Sequence, residues 1–341
     1  MKIAVVGCGA VGSYYGALLS RAGHETHFLL RSDYDAVLRS GVRILTASGE
    51  WTAVPRAARD PREIGIADLV VVALKTTANR AFGDLLPPLV GPSTAVLTLQ
   101  NGLGNEEALS ALFPARQILG GLCFVCLNRE APGVIRHIAH GRILLGEFGG
   151  PATSRTRFLA HQFVDSGVPC DVTDDLDCAH WEKLVWNIPF NGLGVASAAG
   201  WDRVSGRSSA PARPLEPPRA TDELLSDPRW NGLVREVMQE VIAVAQALGH
   251  PIPDSRAEQE IQRTLEMGSY RASTLIDFEC GRSMELDSLF LEPLRRAAAV
   301  GVSTPRLEAI GRVVTELSDP VQEAPTGPGS RSTGTGNRPE K

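Results

Sequence analysis

Along the first half of the chain, short apolar runs alternate with amphipathic stretches, and from Asp174 onward the apolar spacing turns helical. Lys2–Val6 (KIAVV) and Asp68–Leu74 (DLVVVAL) are unbroken apolar runs, the pattern of strands buried on both faces of a parallel sheet. Thr26–Leu30, Ala95–Leu99 and Val168–Val172 read as further strands, and Arg43–Pro55 alternates around Ser48-Gly49 as a hairpin. Gln117–Leu127 and Val134–Glu147 read as extended, the latter turning at His140-Gly141. Helices are expected from Ala10 toward Gly23, over Ala78–Leu86 before Pro87-Pro88, and over Phe158–Ser166.

Downstream the spacing predicts helices over Leu176–Ala199, Asn231–Leu248, Arg256–Met267 and Ser273–Glu279, then from Glu285 to about Val300 and from Thr304 to Leu317. The expected architecture is therefore α/β: a doubly wound sheet over residues 1–174 and an all-helical domain over 175–317. Residues 201–222 are rich in Pro, Ser and Arg and read as a flexible insertion. Residues 318–341 read as a disordered tail.

Composition narrows the function. With 341 residues, two cores can be buried. A net charge of -5 without a basic stripe gives no case for nucleic acid or an anionic membrane. No apolar run reaches the roughly 18 residues a spanning helix requires, and no basic leader precedes the first strand. Six cysteines are scattered through apparent core elements, and Cys123 with Cys126 forms a lone CxxC inside an apolar run. Buried thiols of a reducing cytoplasm suit them better than a redox pair or a metal site, and no metal is expected.

The strand–turn–helix at the N-terminus carries Gly7-Cys8-Gly9-Ala10-Val11-Gly12, a GxGxxG in the context a dinucleotide requires. Gly7 would make the turn, Gly9 would admit a pyrophosphate and Gly12 would let helix and strand close, with Ala10 and Val11 at the helix N-terminus. After the second strand comes Arg31, and no carboxylate occupies positions 28 to 32. A guanidinium there suits the extra phosphate of NADP and leaves NAD without a ribose acceptor; a solvated surface arginine is the competing reading.

Lys75 follows one strand and Asn101 another, so both stand on the rim where α/β sheets bind ligands. Lys75 could equally be a solvated loop cation, and Asn101 a turn residue. Lys183, Asn187 and Asn191 are spaced i, i+4, i+8 and line one face of an otherwise apolar helix, which Pro189 should kink. They either face solvent or satisfy a polar ligand.

In order and spacing GCGAVG, Arg31, LKT, QNG, KLVWNIPFN, STLID and GRSMELD resemble the ketopantoate reductase (2-dehydropantoate 2-reductase) family over residues 1 to 317. The resemblance implies an N-terminal Rossmann domain binding NADP(H), a C-terminal helical domain, and reduction of 2-dehydropantoate to (R)-pantoate in pantothenate biosynthesis. It implies Lys183 as catalytic lysine, assisted by Glu285, with Asn187, Asn191, Ser273 and Asn101 toward the substrate. Gly7, Gly9, Ala10, Val11, Gly12, Arg31, Lys75 and Asn101 would contact the cofactor. A related reductase of another 2-oxo acid, or a non-catalytic NADP sensor, are the alternatives; the partner is a small 2-oxo acid, and a homodimer is left open. Gly120-Gly121-Leu122-Cys123-Phe124 stands where many members have a threonine-rich run, which implies a more apolar pocket wall.

Overall fold

The structure is a computed structural model and describes residues 1–209 and 215–318. Among these residues ten strands form one mixed sheet: β1 (Lys2–Val6), β2 (Glu25–Leu29), β3 (Val42–Thr46), β4 (Gly49–Ala53), β5 (Arg56–Ala58), β6 (Leu69–Val72), β7 (Ala95–Thr98), β8 (Ile118–Ala131), β9 (Val134–Glu147) and β10 (Cys170–Val172). The order is β4-β3-β9-β8-β7-β6-β1-β2-β5, with β10 beside β9. From β8 to β5 every pairing is parallel, as expected of a doubly wound unit. Alternation explains the unbroken apolar runs. Ile3, Val5, Leu69 and Val71 enter the core on one face, and Ala4, Val6, Val70 and Val72 enter that on the other.

β8 and β9 pair antiparallel as a long ribbon. His140 does not turn the chain. It adopts φ 63 within β9, opposite a register shift at Val125, so the expected turn is a bulge that bends the ribbon. The ribbon covers the helix Ala10–Arg21: Tyr15 Oη donates to Gly141 O at 3.3 Å, and the Tyr14 ring stacks on His137. Its far end reaches back to the end of β2, where Arg129 and Gly133 N–H bind the Asp33 carboxylate.

The helical region is built around Leu176–Ala196, which continues through Pro189 without a break in the helix and packs against Pro228–Ala247, Ser273–Glu279 and Pro305–Ser318. Burial on nearly all sides accounts for its apolar sequence: Trp181, Leu184, Val185, Ile188, Phe190 and Leu193 all join one core. Other boundaries differ from expectation for local reasons. Asp227 caps Pro228 as the first helical residue, moving that start upstream of Asn231. A reciprocal Thr153–Thr156 cap starts a helix at Ser154 rather than Phe158. After Lys75 the chain forms a 3-10 turn, Thr76–Ala81, and then a short helix, Phe82–Leu85. Past Glu285 a π-turn, Asp287–Leu291, precedes the helix Glu292–Ala299.

The segment read as a flexible insertion is ordered at both ends. Trp201–Val204 is helical, Glu216 N donates to Ala198 O, Arg219 N donates to Ser197 Oγ, and a helix begins at Thr221. Residues 210–214, and the tail beyond Ser318, lie outside the described residues. Among the described residues no helix is long and apolar enough to cross a membrane.

Candidate active site

Three adjacent strands, β1, β6 and β7, end on one edge of the sheet, and their exits carry Gly7, Lys75 and Asn101. The glycine turn is dictated by contact. Gly7 has φ +99, and a Cβ there would lie 2.2 Å from Leu74 N; one at Gly12 would lie 2.3 Å from Gly7 O. At Gly9 a Cβ would meet nothing within 4 Å, so space lies open above the turn. The helix Ala10–Arg21 has no side-chain cap and no acid in its first turn, leaving amide N–H groups directed at that space.

Arg31 is exposed and makes no ion pair among the described residues. The next carboxylate, Asp33, is buried and fully engaged by Arg129, Gly133 N–H and Ser32. Burial opposes its charge, but these hydrogen bonds hold the carboxyl below the usual range.

The helical domain closes over the same edge. Lys183 Nζ donates to Asn101 Oδ1 at 2.8 Å. Lys75 pairs with Asp277, Thr76 N donates to Glu285 Oε1 at 2.7 Å, and Leu103 N donates to Ser288 O at 2.9 Å. Gly102 permits this approach: it has φ +83, and a Cβ would sit 2.4 Å from Ser288 O. A buried His180–Glu106 contact of 3.0 Å ties the start of the long helix to the sheet domain.

Burial lowers the pKa of Lys183, while Cys123 and Glu285 act to raise it. Because burial lifts the Cys123 thiol to about 11, it is neutral near pH 7, which leaves Glu285 as the acid that acts to raise Lys183. Burial also raises Glu285, opposed by the Thr76 N–H and Lys75. A Phe124 ring lies 5.6 Å from Lys183 Nζ. On the same helix as Lys183, Trp186 approaches Tyr270, with ring centres 6.0 Å apart.

The three polar residues of the long helix differ in their partners. Asn187, one turn beyond Lys183, makes no side-chain hydrogen bond among the described residues. Asn191 is satisfied within the protein: its amide donates to Asn187 O and accepts from Thr274 N and Ser273 Oγ. It thus holds the start of the helix Ser273–Glu279 and leaves Ser273 exposed. Asp277, in the quoted STLID, and the pair Asp33–Arg129 were not anticipated, because their partners are remote in the chain. All six cysteines are free thiols. Asp175, Cys178 and His250 cluster at the start of the long helix, where Asp175 caps Cys178 N and burial holds the Cys178 thiol at about 11.

The family pattern described as Ketopantoate reductase PanE/ApbA matches residues 3–150, and its C-terminal counterpart matches residues 219–318. A 2-dehydropantoate 2-reductase of Nostoc sp. is 39% identical over 316 residues, 91% of this chain and 92% of that protein. The crystal structure of a 2-dehydropantoate 2-reductase from Geobacter metallireducens GS-15 is 43% identical and superposes with a TM-score of 0.83, covering 93% of this chain and 99% of the other. That of Methylococcus capsulatus is 34% identical with a TM-score of 0.81, covering 93% and 96%.

Proposed function

The chain belongs to the ketopantoate reductase family, and from that membership we propose that it reduces 2-dehydropantoate to (R)-pantoate with NADPH, a step of pantothenate biosynthesis. One observation carries the reading: an ammonium from the helical domain, Lys183, meets Asn101 on the sheet edge that also holds the glycine turn.

The residues present fit a phosphorylated dinucleotide. Open space over Gly9 admits a pyrophosphate, the uncapped helix N-terminus supplies N–H donors, and the unpaired Arg31 matches a 2′-phosphate. When bound, NADPH supplies the hydride. The chain's own residues do the rest. Lys183 holds a proton at Nζ and passes it to the carbonyl oxygen as that oxygen gains charge. Asn101 fixes the ammonium, and Glu285 favours its charged form. Asn187 and the Ser273 hydroxyl offer neutral hydrogen bonds to the carboxylate or hydroxyl of the substrate, while Asn191 positions Ser273. Six unpaired thiols suit a cytoplasmic setting.

The test is spectrophotometric: NADPH oxidation by purified protein with 2-dehydropantoate and a panel of 2-oxo acids. The highest kcat/KM is expected for 2-dehydropantoate, and no oxidation with any of them would sink the reading. A second reading, a reductase of a bulkier 2-oxo acid, draws on the Phe124 ring beside Lys183. It requires the panel's maximum to fall on an aromatic or branched acid.

Two further results are expected. Asn187→Ala loses one neutral hydrogen bond of about 0.5–1.5 kcal/mol, so KM for the oxo acid rises roughly three- to tenfold with KM for NADPH unchanged. Since Lys183 must be protonated, kcat is lost as pH rises through its lowered pKa. Glu285→Gln removes a charge that raises that pKa, so the alkaline limb moves to lower pH. A limb that stays in place removes Glu285 from the account.

A further inference from the structure

Behind Asn101 lies a chain of side-chain amides that the reaction itself does not touch. Thr98 Oγ1 donates to Gln100 Oε1 at 3.0 Å, and Gln100 Nε2 donates to Leu74 O at 2.9 Å and to Asn79 Oδ1 at 2.8 Å. Asn79 Nδ2 donates to Asn105 Oδ1 at 3.0 Å, and Asn105 Nδ2 donates to Asn101 O at 3.1 Å. The direction of this relay is forced. Leu74 O and Asn101 O are carbonyls, which only accept, so each amide between them has a single orientation that satisfies both neighbours. Thr98, Gln100 and Asn105 are 1%, 6% and 1% exposed, so a reversed amide would bury an unpaired donor or acceptor.

The relay joins the exits of β6 and β7. Leu74 precedes Lys75, and Asn101 faces Lys183. From the other side the helical domain grips the same loop through Leu103 N and Ser288 O. Asn101 is therefore clamped at its backbone, with its side-chain oxygen left to receive the Lys183 ammonium.

We propose that Asn105, with Asn79 and Gln100 behind it, is a positioning residue for the reduction: it fixes the Asn101 backbone and so sets where Lys183 presents its proton. This rests on the reductase reading. An apolar residue at position 105 could fill the same volume, but it could not hold the Asn101 carbonyl. Misplacement of a reacting group by about 1 Å can cost up to a hundredfold in rate.

The experiment compares parent enzyme, Asn105→Ala and Asn105→Asp with NADPH and 2-dehydropantoate as probes. The aspartate still accepts from Asn79 but cannot donate to Asn101 O. Both variants are expected to lose about tenfold in kcat while KM for NADPH stays within twofold. For Asn105→Ala the alkaline limb moves to lower pH, because a displaced Asn101 oxygen no longer favours the charged lysine; Asn105→Asp, which adds a carboxylate near that lysine, is read through kcat alone. Unchanged kcat in folded variants overturns the proposal. So does a kcat loss that tracks a lowered Tm while the alkaline limb stays fixed, which is what a purely structural strap predicts. If Asn105→Ala does not fold, Asn79→Ala, one link further back and only half-buried, carries the same readouts. An active parent with indifferent variants removes the relay alone, whereas an inactive parent removes the reductase reading and the relay together.

Discussion

Lys183→Ala is expected to lower kcat for NADPH-dependent reduction of 2-dehydropantoate by about 10²–10⁴-fold, the span typical of a general acid. The expectation follows from placement. Among the described contacts, Lys183 is the cation that reaches Asn101 from the helical domain, and it does so at the ends of β1, β6 and β7. Removing it leaves the developing alkoxide without its proton source, while the glycine turn and Arg31 are untouched. NADPH should therefore bind the variant with nearly parental affinity, which fluorescence titration can measure. A variant that keeps kcat within about threefold of the parent would assign proton delivery elsewhere.

Arg31→Ala is expected to weaken NADPH by about ten- to a hundredfold, taking roughly 1.5–3 kcal/mol for a charged hydrogen bond, and to leave NADH almost unaffected. The selectivity comes from the surroundings as much as from the arginine. Among the described residues no partner competes for Arg31, and the carboxylate two residues on is withdrawn from solvent by Arg129 and Gly133. Asp33 cannot then serve as the acceptor for ribose hydroxyls that an NAD site needs. Measured KM values for both cofactors decide the matter: equal losses for NADPH and NADH would remove the phosphate role.

The two residues illustrate how legibility varies. Arg31 could be singled out in the chain because its position is set by distance from a glycine turn, and local spacing sets that distance. The strands Lys2–Val6 and Leu69–Val72 were readable for a similar reason, since burial on both faces leaves no polar interruption. The helix Leu176–Ala196 was visible through its length, and its polar stripe through the i, i+4 spacing of Lys183 and Asn187. Asn191 shares that stripe, and its amide oxygen accepts from Thr274 N, a partner 83 residues on. Periodicity reports which face a side chain occupies, and not what stands opposite.

By itself, then, the amino-acid order determined the alternation of strand and helix, the glycine turn, the arginine two residues past β2 and the face on which the lysine stands. Each depends on neighbours within a few turns of chain. Only the tertiary structure decided that Asp277 answers Lys75 across 202 residues, that Asp33 is held by Arg129, and that Asn101 is braced through Asn105. A hydrogen bond depends on two groups meeting within about 3 Å, and when they come from different elements the packing of the two domains, not the spacing of either segment, brings them together.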